Sequence, residues 1–145
     1  MKKPDNQKIL SKLEEMLVYI GELQEILPDE EEYHKDLVKR RACEKTAELA
    51  IDALVSAAAI IVSIERFGIP TSQENIIDLL ARHGVITPIL AEKLKDMKGF
   101  RNLLIHKYGE VDDKLAYEFL TQDLADFTEF QKQVINYLHK DHEIK

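Results

Sequence analysis

Residues 99–109 read GFRNLLIHKYG, an apolar run threaded by an arginine, an asparagine, a histidine and a tyrosine. Leucine or alanine would fill a helical core better at each of those four places. On a helix, Arg101 and His106 are about 140° apart and roughly 7.5 Å along the axis. They do not stack on each other. They converge on a shared ligand in a cleft, or meet the same motif of a second copy across a two-fold axis. A histidine that can carry a proton, beside a fixed cation, suits phosphodiester chemistry. The imidazole moves protons to and from a ribose 2′-hydroxyl or a leaving 5′-oxygen. The guanidinium holds the charge that builds on the non-bridging oxygens, with no metal required. The substrate's own hydroxyl would be the nucleophile, leaving a 2′,3′-cyclic phosphate. Spacing alone gives more weight to a plainer alternative, in which Arg101 closes a buried salt bridge and His106 caps the helix.

The elements that must position these groups are helices. The five glycines and four prolines fall between segments of helical periodicity, and no strand-like alternation stands out. A first helix is expected from about Asn6 to Leu27, ended by Pro28. A second starts after Asp29 and runs to about Phe67, with Gly68 as its stop. Its apolar stripe is Ala47, Ile51, Leu54, Ala58, Ile61 and Ile64. A third opens on Thr71, three residues before Glu74 in a capping-box spacing, and closes on Gly84. The fourth, with Thr87 as N-cap and Pro88 at its first position, carries the motif and closes on Gly109. The last spans about Asp112 to His139 with Leu115, Phe119, Leu120, Leu124, Phe127, Phe130, Val134 and Leu138 on its apolar side. The expected fold is all-α, an antiparallel bundle of about five helices in one domain covering residues 1–145.

On the fourth helix Leu90, Leu94, Met97, Arg101, Leu104 and Tyr108 form one stripe, which puts Arg101 in an apolar seam. A guanidinium there needs a carboxylate, a phosphate or a partner surface. Gly99, Asn102 and His106 form a polar stripe beside it. On the second helix Glu44, Glu48, Asp52 and Ser56 lie four apart. Glu44 is read as solvated. Glu48 and Asp52 sit among alanines and isoleucines, so either is a candidate to pair with Arg101 and orient it.

The net charge of −7, from 27 acidic and 20 basic residues, opposes non-specific binding of nucleic acid. Locally the balance reverses. Residues 93–108 hold five cations and one anion, and residues 35–45 hold five cations and two anions. Arg40 and Arg41, in the second segment, would extend an RNA path or meet an acidic partner surface. Cys43 is the only cysteine, which excludes an internal disulfide and Cys-based zinc sites and fits a reducing cytoplasm. His34, His83, His139 and His142 lack metal-ligand spacing, and Tyr19, Tyr33, Tyr117 and Tyr137 read as amphipathic helix positions. The longest apolar run, residues 53–64, is short of the ~20 residues a membrane span needs. A cytoplasmic protein with no membrane partner, no metal and no cofactor is expected.

The sequence GFRNLLIHKY resembles the Arg-x4-His-x-Tyr motif of HepT-like proteins, a branch of the HEPN superfamily. The flanking KRRACEKTAELAIDA and FGIPTSQENIIDLLARHGVITPILAEKLKDM are similar too, so the resemblance spans about Leu10 to Leu138. It implies an all-helical homodimer with the two motifs facing each other. It also implies a ribonuclease toxin acting on RNA, paired with an MntA-like minimal nucleotidyltransferase antitoxin. By that resemblance Arg101 and His106 are catalytic, Asn102 is a supporting polar group, and Tyr108 accepts AMP units from the antitoxin. A second function class stays open: a non-catalytic helical module of the same superfamily that binds nucleotide or a nucleotidyltransferase. A third is a structural dimer with Arg101 as an interface salt bridge.

Overall fold

The computed structural model describes residues 3–105 and 110–143, and the side chains of 6–97, 100–101 and 113–140. Those residues form seven helices and no strand: α1 (Lys3–Ile26), α2 (Glu30–Lys35), α3 (Leu37–Ile64), α4 (Gln73–Arg82), α5 (Pro88–Ile105), α6 (Glu110–Gln122) and α7 (Ala125–Glu143). The all-α class holds. The helix count rises because two of the five expected helices are broken.

The first break is at Asp36. Its backbone is extended (φ −100°, ψ 101°), its N–H donates to Glu32 O, and its carboxylate accepts from Lys39 N at 3.1 Å. One residue therefore ends α2 and starts α3, and the single helix expected to start after Asp29 and run to about Phe67 becomes two. The second break is at residues 123–124. The Thr121 hydroxyl donates back to the carbonyls of Tyr117 (3.0 Å) and Glu118 (3.1 Å), which competes with helix continuation. The change of direction sends Phe127 and Phe130, both fully buried, into the core. Leu115, expected on the apolar side, is 49% exposed.

Smaller corrections concern caps. The N-cap of α4 is Ser72, whose Oγ accepts from Asn75 N at 3.0 Å, while Asn75 Oδ1 accepts from Thr71 N. The box therefore pairs Ser72 with Asn75 instead of Thr71 with Glu74. At the end of α3 the chain turns at Arg66 (φ 55°), two residues before Gly68, and Phe67 N closes on Val62 O. The expected stop of α5 at Gly109 lies outside the described residues. Its start matches: Leu90 N donates to Thr87 Oγ1 at 3.2 Å.

The core is built on α1 against α3. Ile9, Leu13, Met16, Ile20 and Leu23 of α1 meet the alanine-rich stripe of α3. Small residues there (Ala47, Ala50, Ala57, Ala58) let the two axes approach closely. By length and hydropathy α3 is the one described helix able to cross a membrane, yet half of its most apolar window is buried inside the protein. Next, α4 packs on α3 and α5, and α7 closes the bundle against α1 and α5. Phe100 of α5 stacks on Phe119 of α6 with ring centroids 3.8 Å apart. Together with Leu90, Ala91, Leu94 and Met97, this locks the motif helix between α3 and α6.

Candidate functional site

Arg101 leaves α5 on the side facing α3, one turn beyond Met97, which is 2% exposed. Its Nη2 lies 3.2 Å from Asp52 Oδ1, with side-chain exposures of 27% and 44%. The carboxylate therefore holds one edge of the guanidinium at the rim of the core. The Nε of Arg101 is buried and has no hydrogen-bond partner among the described residues. The fork of a guanidinium matches carboxylate and phosphate oxygens alike.

Of the two candidate supports, α3 brings Asp52 to Arg101 and turns Glu48 elsewhere. Glu48 Oε1 faces Lys45 Nζ at 3.9 Å, one turn toward the N-terminus. Asn102 lies within α5, but its side chain is outside the described residues, as are His106 and Tyr108 altogether. Among the described residues no group of three or more His, Cys, Asp or Glu is arranged to hold a metal ion.

Residues 16–134 match the family described as Ribonuclease HepT-like. The chain belongs to that family. Its sequence is 26% identical over 125 residues to the mRNA nuclease HepT of Shewanella oneidensis, covering 86% of this chain and 94% of that one. Over 68 residues it is 28% identical to a tRNA nuclease HepT of Aphanizomenon flos-aquae, covering 47% and 46% of the two chains. The fold superimposes on the tri-AMPylated Shewanella oneidensis HEPN toxin in complex with MNT antitoxin. There the TM-score is 0.82 at 25% identity, over 88% of this chain and 96% of the other.

Around this site the HepT-like chain departs from its sequence reading in three places. Glu44 is buried instead of solvated: its side chain is 7% exposed, and Tyr33 Oη donates to its Oε2 at 2.8 Å. Tyr33 is fully buried, and burial, then the bond to Glu44, pushes its phenol far above its usual pKa. Arg40 offers no free cation. Its Nη1 donates to His34 O at 2.8 Å and Tyr33 O at 3.3 Å, and its Nε lies 3.6 Å from Asp113 Oδ1. Arg41 is 67% exposed, with its Nη1 3.8 Å from Glu44 Oε1. The local excess of positive charge at residues 93–108 is also smaller than the count implied. Lys95 is held by Asp78 at 2.9 Å and by Glu92 at 3.4 Å.

The lone Cys43 is buried, and burial, then the nearby charge of Glu44, pushes its thiol up to about 11, which removes it as a nucleophile. His83 caps α4 and stacks on Phe67 at 4.0 Å, and His34 faces Glu30 at 3.7 Å. The buried set Tyr33, Arg40, Glu44 and Asp113 is what the sequence reading missed. Its only signal was the placing of polar residues beside apolar ones on α3, and periodicity does not pair residue 40 with residue 113.

Proposed function

We propose that this HepT-like chain is a metal-independent endoribonuclease, the toxin of a toxin–antitoxin pair, silenced when its nucleotidyltransferase partner transfers AMP to Tyr108. The observation that carries this reading is the state of Arg101, paired with Asp52 through Nη2 and with its buried Nε unpaired among the described residues. In the proposed reaction His106 removes the proton from a ribose 2′-hydroxyl, and the 2′-oxygen attacks the adjacent phosphorus. The bond to the 5′-oxygen breaks, and that oxygen takes a proton from an imidazolium. The products are a 2′,3′-cyclic phosphate and a free 5′-hydroxyl. Arg101 stabilises the charge on the phosphorane oxygens, and Asn102 supplies a further polar contact. Two motifs meet across a homodimer, which gives each phosphate more than one cation and donor. AMP units on Tyr108 place negative charge where the RNA phosphate must sit. The whole of residues 1–145 acts as one cytoplasmic domain.

One observation favours the alternative of a non-catalytic nucleotide- or nucleotidyltransferase-binding module: the net charge of −7 repels RNA. The discriminating experiment is cleavage of RNA in excess EDTA by the purified chain freed of partner, with His106→Ala prepared in parallel. Cleavage by wild type alone, leaving cyclic phosphate ends, is expected. An unmodified dimeric wild type that leaves varied RNAs intact overturns the enzyme reading in favour of the binding module.

A further inference from the structure

Where α3 and α4 end, two tight turns bring an aromatic pair together. The chain leaves α3 through Arg66 (φ 55°) and Gly68 (φ 125°), and leaves α4 through Gly84 (φ 78°). Left-handed backbone at these places stops each helix within a few residues. Phe67 and His83 then lie face to face, with ring centroids 4.0 Å apart and planes 1° from parallel. Phe67 is half-buried and packs on the core, whereas His83 is exposed. Phe67 covers one face of the imidazole, so what His83 exposes is its other face and its edge. A Cβ at Gly68 or Gly84 would meet no atom within 4 Å, so the space beside both turns is open. Capping α4 uses only the backbone N–H of His83, which donates to Leu79 O at 3.1 Å. The ring itself adds a flat aromatic face on a supported base.

The surroundings suit a nucleotide. Arg66 precedes Phe67 and Arg82 precedes His83, both are exposed, and neither pairs with a carboxylate among the described residues. Residues 66–73 and 79–91 contain no Asp or Glu. Glu65, the acid just before Arg66, accepts from Tyr137 Oη at 2.6 Å. In a chain of net charge −7, this is a place where the local field does not oppose a phosphate. Every nucleobase has a face that stacks on an aromatic ring, and a guanidinium beside it can hold the phosphate. Ile69, 93% exposed on the same turn, would suit a protein partner, but two unpaired arginines around an open ring suit a nucleotide better.

We propose that the Phe67–His83 pair is a stacking platform for one base of single-stranded RNA, with Arg66 and Arg82 bracketing the phosphate beside it. Arg101 lies about 20 Å along α5 from Pro88, which opens that helix just after the His83 turn. The base on the platform is therefore several nucleotides from the phosphate at Arg101, and the platform favours longer strands without touching the reacting atoms. The choice of RNA rests on the ribonuclease reading, but the binding test does not require cleavage.

The probes are 2′-O-methyl oligonucleotides, which lack the attacking hydroxyl, of about four and about sixteen nucleotides, carrying 2-aminopurine to report stacking. His83→Ala removes the ring and His83→Tyr restores one. Lys35→Gln removes an exposed cation at the other end of α3 and is the control. His83→Ala is expected to weaken the long probe about tenfold and to lose its 2-aminopurine quenching, with the short probe changed by less than about twofold. His83→Tyr regains both, and Lys35→Gln binds as wild type. A folded His83→Ala that holds the long probe as tightly as wild type overturns the proposal, as does an equal loss for both probes or a wild type that binds neither. If wild type cleaves no RNA yet binds the long probe through His83, the ribonuclease reading fails and the platform stands. If it cleaves RNA and His83→Ala leaves binding unchanged, the platform fails and the ribonuclease reading stands.

Discussion

At the scale of single residues the proposed reaction rests on how one guanidinium is held. Arg101 lies one turn beyond the buried Met97 on α5, with one edge on Asp52 and Nε unpaired among the described residues. Asp52 is 44% exposed, so solvent screens the pair, and its worth to folding is about 1 kcal/mol or less. Its worth to catalysis is larger if it fixes the direction of the fork, because a misaimed donor no longer meets the developing charge. Asp52→Asn is therefore expected to lower kcat/KM about tenfold or more while the denaturation midpoint barely moves. Cleavage assays and urea melts on the same preparation check this, and parallel losses in activity and stability would refute the orienting role. The sequence narrowed the choice to Glu48 or Asp52. Side-chain contact between α3 and α5 decided it, because both residues lie on the same stripe of α3 and only packing tells which turn faces Arg101.

At the scale of elements, helix existence was legible and helix breaks were not. The stripes of α1, α3, α5 and α7 are long enough for periodicity to dominate. Asp36, however, sits in an unbroken run of helix-compatible residues. An aspartate is compatible with a helix interior and with a cap, and the choice depends on whether a tertiary contact rewards the bend. Here it does. Breaking the chain at Asp36 lays α2 against α3 and α6, buries Tyr33 completely, and presents the α2 carbonyls to Arg40. Asp36→Ala, which removes the carboxylate that accepts from Lys39 N, is expected to cost about 1 kcal/mol of unfolding free energy, read from urea denaturation. A change of only a few tenths would mean that Arg40 and Tyr33 hold the bend without the cap. The Thr71–Glu74 box failed for a related reason. Two capping residues stood side by side, and Ser72 with Asn75 supplied the same bonds one position later.

At the scale of the whole molecule the issue is charge. A chain of net −7 that acts on RNA must do so through a local field, since the summed charge repels the substrate. The structure reduces the number of cations available, because Arg40 is internal and Lys95 is paired. A dimer that brought two Arg101 motifs to one cleft, as proposed, would restore part of that field. Each phosphate contact to a single strand contributes about −0.7 to the slope of log affinity against log salt. The expected outcome is a shallow dependence, equivalent to about two or three contacts, for kcat/KM measured across a salt series on a dimeric sample. A slope of six or more contacts would place additional basic surface in the RNA path, and a flat response would argue against phosphate recognition at Arg101.

The sequence by itself determined the all-helical class, the main apolar stripes, the motif from Arg101 to Tyr108 and, through that motif and its flanks, the HepT-like family. These follow from local periodicity, and from residue types whose chemistry is the same wherever they are placed. Only the tertiary structure decided which carboxylate meets Arg101, that Glu44 and Tyr33 form a buried pair, and that Arg40 belongs to the interior. Each of those is a contact between different helices, chosen by the balance of burial against hydrogen-bond satisfaction, and no local pattern encodes that balance.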